Sequence, residues 1–149
     1  MGSYKKIVVG TDGSDTAMRA VDRASGIAKD HAAELLIVTA YEPAGRDEVK
    51  AATDALKQDA YLAVGSAPAE GMLRDAAARA RSKGATQVAT LAVQGQPVEV
   101  LDKAVATSGA DLLVVGNVGL NSLSGRLLGS VPQTVARRAG VDVLIAHTV

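Results

Sequence analysis

The sequence predicts an α/β fold, an open five-stranded parallel sheet in the order 3-2-1-4-5 with helices on both faces. Three observations predict it. Short β-branched runs alternate with longer stretches of helical apolar spacing. The run Asp111-Leu112-Leu113-Val114-Val115 is apolar after its first residue, as a strand buried on both faces must be. Glycine-rich segments then leave two of the strands. Gly10-Thr11-Asp12-Gly13-Ser14 follows the first, and Gly116-Asn117-Val118-Gly119 follows the fourth. Right-handed crossovers leave few orders for five strands, mainly 2-1-3-4-5 and 3-2-1-4-5. Only the second brings these two segments together at the point where the strand order reverses, so it is the order expected.

Each element has its own signal. Ile7-Val8-Val9 opens as a strand. Ser14 is placed to cap the first helix, with Asp15 in the first turn and Ala17, Val21, Ala24 and Ala28 at helical spacing. Leu35 to Val38 forms the second strand. A helix over roughly Ala67 to Ser82 carries Ala69, Met72 or Leu73, Ala76 and Ala80 on one face, and Gly84 ends it. Gln87 to Val93 is a third strand, less apolar and so nearer an edge. Pro97 suits the first turn of the next helix, whose inward face is Val98, Leu101 and Val105. After the Asp111–Val115 strand, a last helix carries Val131, Val135 and Ala139. Arg137 and Arg138 complement its carbonyl end, and Gly140 stops it. Val141 to Ile145 closes the sheet. One polar excursion, Glu42 to Ser66, breaks the alternation. Val49, Thr53 and Leu56 there have the spacing of a short amphipathic helix, serving as a lid, a partner surface or a mere insertion.

Composition narrows the function. A chain of 149 residues is expected to be one domain, 1–149, with a proper core. Lys+Arg 16 balances Asp+Glu 16, which marks no nucleic-acid binder. Phenylalanine and tryptophan are absent, so no base-stacking platform is expected and the core is aliphatic and alanine-rich. Without cysteine there is no disulfide, thiol nucleophile or thiolate metal site. The first residues carry no apolar secretion segment and no run is long enough to span a bilayer, so the expected location is cytoplasmic and no membrane partner is expected.

The candidate site lies where the two glycine segments meet. Two glycines three apart expose main-chain N–H groups to a ligand that approaches closely. After nine intervening residues, Gly129-Ser130 falls where the last helix begins, so its free N–H groups and hydroxyl suit an anion. The pair frames a gap shaped for phosphate; the plain alternative is tight turns. Asp12 suits a sugar hydroxyl or a base amine, or else bonds its own backbone as a turn residue. Thr11 and Ser14 suit helix capping.

Familiar catalytic patterns are missing. No G-x-x-x-x-G-K-[ST] occurs, and no G-x-G-x-x-G follows the first strand. Asp12 stands alone at the first strand and the third ends in Ala92-Val93-Gln94, unlike the acid cluster of a receiver domain. His31 and His147 are far apart in sequence and read as solvated surface histidines. Glu70, Asp75, Glu99 and Asp102 read as solvated helix charge. Neither a catalytic group nor a metal site is expected.

These motifs together resemble the universal stress protein family, in its branch that binds adenine nucleotide. Its hallmark is Gly, two residues, Gly, nine residues, then Gly with Ser or Thr, present here at Gly116, Gly119, Gly129 and Ser130. Ile7 to Ser14, Gly95-Gln96-Pro97, Asp111 to Gly116 and Val141 to Ile145 match as well. The resemblance covers nearly the whole chain except Glu42 to Ser66. It implies an adenine nucleotide α-hydrolase-like fold. It also implies that Thr11 and Asp12 border adenine and ribose, that Gly10 belongs to the binding site, and that Ala40 meets the base through its backbone. Gly116, Asn117 and Gly119 would line ribose and first phosphate, and Gly129, Ser130 and Val131 the remaining phosphates. A homodimer through the last strand, Val141 to Ile145, is implied too, and an apolar edge strand is a physical reason for pairing.

One departure shapes the functional expectation. Many ATP-binding relatives place a basic or histidine side chain between the first two glycines, where this chain has Asn117-Val118. Arg126, inside the nine-residue loop, is the one cation there to serve phosphate. No lysine or acid pair is dedicated to Mg²⁺ and a triphosphate, so Mg²⁺ is expected only if ATP is bound. Some mycobacterial relatives with a similar segment favour cyclic AMP. The resemblance therefore implies a protein that senses or sequesters cyclic AMP or ATP, cyclic AMP slightly favoured. A slow ATP-hydrolysing enzyme and an interaction module without nucleotide dependence are the alternatives.

Overall fold

The sheet is parallel throughout, in the order β3-β2-β1-β4-β5. Its strands are β1 (Lys6–Gly10), β2 (Glu34–Tyr41), β3 (Gln87–Gln94), β4 (Leu112–Gly116) and β5 (Asp142–Ala146). The helices between them are α1 (Asp15–His31), α2 (Ser66–Ser82) and α3 (Pro97–Ser108). The structure, a computed structural model, describes residues 3–41, 66–117 and 140–147. The helices expected around Val49 to Leu56 and Val131 to Ala139 lie outside the described residues. The order expected from the paired glycine segments is the one found.

Alternation along the strands divides the core. Ile7, Val9, Leu35, Ile37, Leu112 and Val114 pack on one face against α1 and α2. Val8, Val38, Leu113 and Val115 pack on the other against Val100, Leu101, Ala104 and Val105 of α3. Ile7 to Gly10 of β1 are buried because β2 and β4 flank the strand and helices cover both faces. At the edges the same logic reverses: Leu91 of β3 is 38% exposed and Ile145 of β5 is 42% exposed. That β3 lies at an edge agrees with its weaker apolar character.

Helix α1 meets the sheet through Ala17, Ala20, Val21, Ala24 and Ala28, all buried. Ser25 is buried among them, and its hydroxyl donates to the Val21 carbonyl at 2.6 Å, so the one polar group on this stripe is satisfied. Ser14 caps α1 as expected, its Oγ accepting from the Ala17 N–H at 3.2 Å. The helix ends at Ala32, held in the left-handed region at φ 52°.

The N-terminal segment straps the lower end of the sheet, where the strands begin. The Asp111 carboxylate accepts the backbone N–H groups of Lys5 and Lys6, at 2.9 and 3.1 Å. Burial would raise the Asp111 pKa, but these donations outweigh it and hold the carboxyl below the usual range. The Tyr4 hydroxyl donates to Asp142 at 2.9 Å, which pushes the phenol up. His31 is not the solvated histidine expected. Its Nδ1 accepts the Tyr4 N–H at 3.0 Å, and the two rings lie 5.3 Å apart. The chain turns Tyr4 back across the end of α1, a long-range approach that helical spacing alone does not reveal.

Candidate nucleotide site at the β1–β4 junction

At the upper end of the sheet, β1 and β4 are neighbours, but their connections diverge. β1 leads through α1 to β2 on one side, and the partner of β4 on the other side is β5. The sheet order reverses here, which opens a crevice between the chain segments leaving the two strands.

The β1 exit is a rigid loop. Gly10 is buried, and the Thr11 N–H donates to the Val38 carbonyl at 3.0 Å, tying the turn to β2. Thr11 itself is 1% exposed. Its hydroxyl accepts the Gly13 N–H at 3.1 Å and faces the Met18 sulfur at 3.9 Å. The Thr11 side chain therefore shapes the loop from inside. Asp12 is half-buried, and its Oδ1 accepts the Ser14 N–H at 2.9 Å, the turn role weighed for it. Each carboxylate oxygen has two lone pairs, so that bond does not disqualify the group as a ligand acceptor. Gly13 closes the turn at φ 84°, and a Cβ there would meet Met72 Cγ at 2.7 Å. Met72 comes from α2, so that helix sets the loop's outer wall.

Ala40, half-buried on β2 beside Val93 of β3, lies on the α3 side of the sheet. At the β4 exit, Gly116 pairs with Ala146, and the Asn117 N–H donates to the Ala146 carbonyl at 2.8 Å. That donor extends the ladder and serves the sheet. The amide nitrogen of the Asn117 side chain faces His147 Nδ1 at 3.4 Å. The structure thus brings Gly10, Thr11, Asp12, Ala40, Gly116 and Asn117 to one end of the sheet. Gly119, Arg126, Gly129, Ser130 and Val131 lie outside the described residues.

Sequence reasoning missed Met18, Met72 and His147. The first two repeat with the core and carry no separate signal. His147 was legible in principle: it follows Ala146, the register partner of Gly116, and so falls opposite Asn117.

A sequence model of the universal stress protein family matches residues 3–147. The chain belongs to that family. Universal stress protein Rv1636 of Mycobacterium tuberculosis is 52% identical over 148 residues, 99% of each chain. A crystal structure of a universal stress protein in complex with cAMP is 46% identical, with a TM-score of 0.76 over 99% of this chain and 100% of that one. Universal stress protein UspA from Lactobacillus plantarum, 23% identical, shares the fold at a TM-score of 0.76 over 97% and 99% of the two chains. Membership accounts for the strand order and for glycine at both exits from the central strands. Among the described residues, no helix is long and apolar enough to cross a membrane.

Proposed function

We propose that this universal stress protein binds an adenine nucleotide without chemical turnover, as a sensor or sink for cyclic AMP or ATP, with cyclic AMP favoured. One observation carries the reading: the family member solved with cAMP is 46% identical over essentially the whole chain. The crevice between β1 and β4 supports it, because an acceptor, Asp12, and the backbone of Ala40 stand at one end of the sheet beside Gly116 and Asn117. In this reading Asp12 takes a hydroxyl of the ribose and Ala40 borders the base. Gly116, Asn117 and Gly119 line the sugar and first phosphate, and Arg126, Gly129, Ser130 and Val131 serve the phosphates. The charge supports cyclic AMP: a phosphodiester with one negative charge needs fewer cations than a triphosphate.

Calorimetric titration of nucleotide-free protein with cyclic AMP and ATP, with and without Mg²⁺, tests this. Tight cyclic AMP binding that ignores Mg²⁺ is expected. Preferential Mg²⁺-linked ATP binding would move the protein to the ATP-binding branch and reopen turnover. No heat with either would defeat the reading.

Pairing through β5 belongs to the same proposal. Ile145 is 42% exposed on that edge, and Val143 and Leu144 are half-buried. An apolar edge strand is a template for a second copy. Ile145→Lys is expected to yield a monomer in sedimentation; an unchanged dimer would place the contact elsewhere.

A further inference from the structure

The two edges of the sheet are protected unequally. An edge strand presents unpaired N–H and C=O groups, which proteins blunt with short length, charge, proline or bulges. β5 has two of these devices, being five residues long and starting at Asp142. β3 has none. It runs for eight residues, Gln87-Val88-Ala89-Thr90-Leu91-Ala92-Val93-Gln94, with neither charge nor proline. It pairs with β2 at every position from Glu34↔Gln87 to Tyr41↔Gln94, so no bulge bends it away. Among the described residues no strand lies on its other side. Ala89, Thr90 and Leu91 are exposed there, Leu91 at 38%.

The residues along this edge fit a second copy of the same strand. A two-fold axis through Leu91 sets two β3 strands antiparallel. Leu91 then meets Leu91, Ala89 meets Val93, Thr90 meets Ala92 and Val88 meets Gln94. No like charges face each other anywhere along the joint. Ala89, Leu91 and Val93 alternate onto the α3 side of the sheet, where Val93 already packs against the core. In the pair they form one apolar stripe that crosses from copy to copy.

The flanks agree with that direction. Arg81 and Lys83, both exposed, lie just before the lower end of β3, and Glu99, exposed in the first turn of α3, lies just past its upper end. Antiparallel pairing sets the basic end of each copy beside the acidic end of the other, whereas parallel pairing would set like against like.

We propose that β3 is a self-association edge, at which a second copy of this chain adds its own β3 antiparallel and extends the sheet. The contact is isologous, the same residues serving on both sides. It lies at the opposite edge from β5 and does not compete with pairing there. A chain that uses both edges links dimers into tetramers and larger species. Nucleotide binding is not needed for it.

Sedimentation of the whole protein over a wide range of concentration tests this, with Leu91→Lys, Ile145→Lys and the double variant alongside. Wild type is expected to pass beyond the dimer as concentration rises. Leu91→Lys sets two like charges opposite each other on the two-fold axis. It is expected to weaken that step at least about tenfold while melting with wild type, because the position is exposed. Ile145→Lys is expected to retain a dimer joined through β3, and the double variant to be a monomer. The chain has no cysteine, so Leu91→Cys reports the register directly. Residues directly opposite in an antiparallel pair have Cα atoms about 4.5–5.5 Å apart, within reach of a disulfide. Mild oxidation of Leu91→Cys is expected to yield covalent dimer well above the background from Arg23→Cys, an exposed position on α1. Leu91→Lys that matches wild type in mass at every concentration, or Leu91→Cys that cross-links no better than Arg23→Cys, would overturn the proposal. Mass lost to Leu91→Lys but unmoved by Ile145→Lys would support this edge and defeat the pairing proposed for β5.

Discussion

The two ends of the sheet are built on opposite plans. At the lower end, side chains serve the chain's own ladder: Asp111 takes two N–H groups of the incoming β1, and Tyr4 bridges His31 and Asp142. The Asp111 and Asp142 contacts span more than a hundred residues, so they tie the start of the chain to its last elements. At the upper end, the side-chain bonds of the β1 loop are local. Thr11 holds Gly13, Asp12 holds Ser14, and Ser14 holds Ala17. Local bonds keep a loop rigid without covering it, which is what a preformed ligand site requires. The lower end therefore carries stability, and the upper end is the one we propose for recognition.

The sharpest way to break that division is at Gly13. Its φ of 84° is costly for any L side chain, and a Cβ would meet Met72 Cγ at 2.7 Å. Gly13→Val is expected to cost about 2–4 kcal/mol in stability, combining backbone strain with a clash against α2. In protein that remains folded it should weaken cyclic AMP binding at least tenfold. Denaturant melts and calorimetry would read the two effects separately. Unchanged affinity would mean that the β1 loop is scaffold alone, like the lower end.

Asp111→Ala asks the reverse question. Losing the acceptor for two strand N–H groups is expected to cost about 1–2 kcal/mol, with nucleotide affinity unaltered. The pH dependence follows from the direction of the shift. The folded carboxyl titrates below its unfolded value, so its contribution is complete above about pH 4 and fades as pH falls through the folded pKa. Wild type and variant should therefore converge in stability on acidification. A variant that loses nucleotide binding while remaining folded would show that the two ends are coupled.

Ala32→Gly should strengthen the lower end. Ala32 sits at φ 52°, where only glycine escapes a Cβ penalty, so the exchange is expected to stabilise by about 1 kcal/mol. A rise in the denaturation midpoint without change in nucleotide affinity would check it.

The same division decides what was legible in the sequence. The strand order followed from Gly10 and Gly116 because local turn chemistry marks where central strands end. The Ser14 cap and the alanine stripe of α1 are also local, and both stand as read. What escaped notice depends on sequence-distant approach. His31 meeting Tyr4, Met72 meeting Gly13 and His147 meeting Asn117 are approaches between residues 27, 59 and 30 positions apart in sequence. Spacing rules see neither the partner nor the distance. Asp12 shows the intermediate case: its turn bond to Ser14 was foreseeable, and its second role depends on what enters the crevice.

The smallest expected effect lies between the two ends. Arg79 of α2 grips Asp22 of α1 with both donors of its fork, each at 2.7 Å, which joins the two helices on one face of the sheet. The arginine's hydrogen bond holds the Asp22 carboxyl below its usual range, so its contribution is lost only as pH falls through that lowered value. Yet the side chains remain 42% and 26% exposed, and water and salt screen the pair. Arg79→Ala is therefore expected to cost only about 0.5 kcal/mol, less at high salt, despite good geometry. A double-mutant cycle with Asp22→Ala at two salt concentrations measures it. A coupling several times larger would mean that α1 and α2 move as one body. Met72 would then transmit changes at that helix pair to the Gly13 loop, and the lower-end and upper-end plans would share a member.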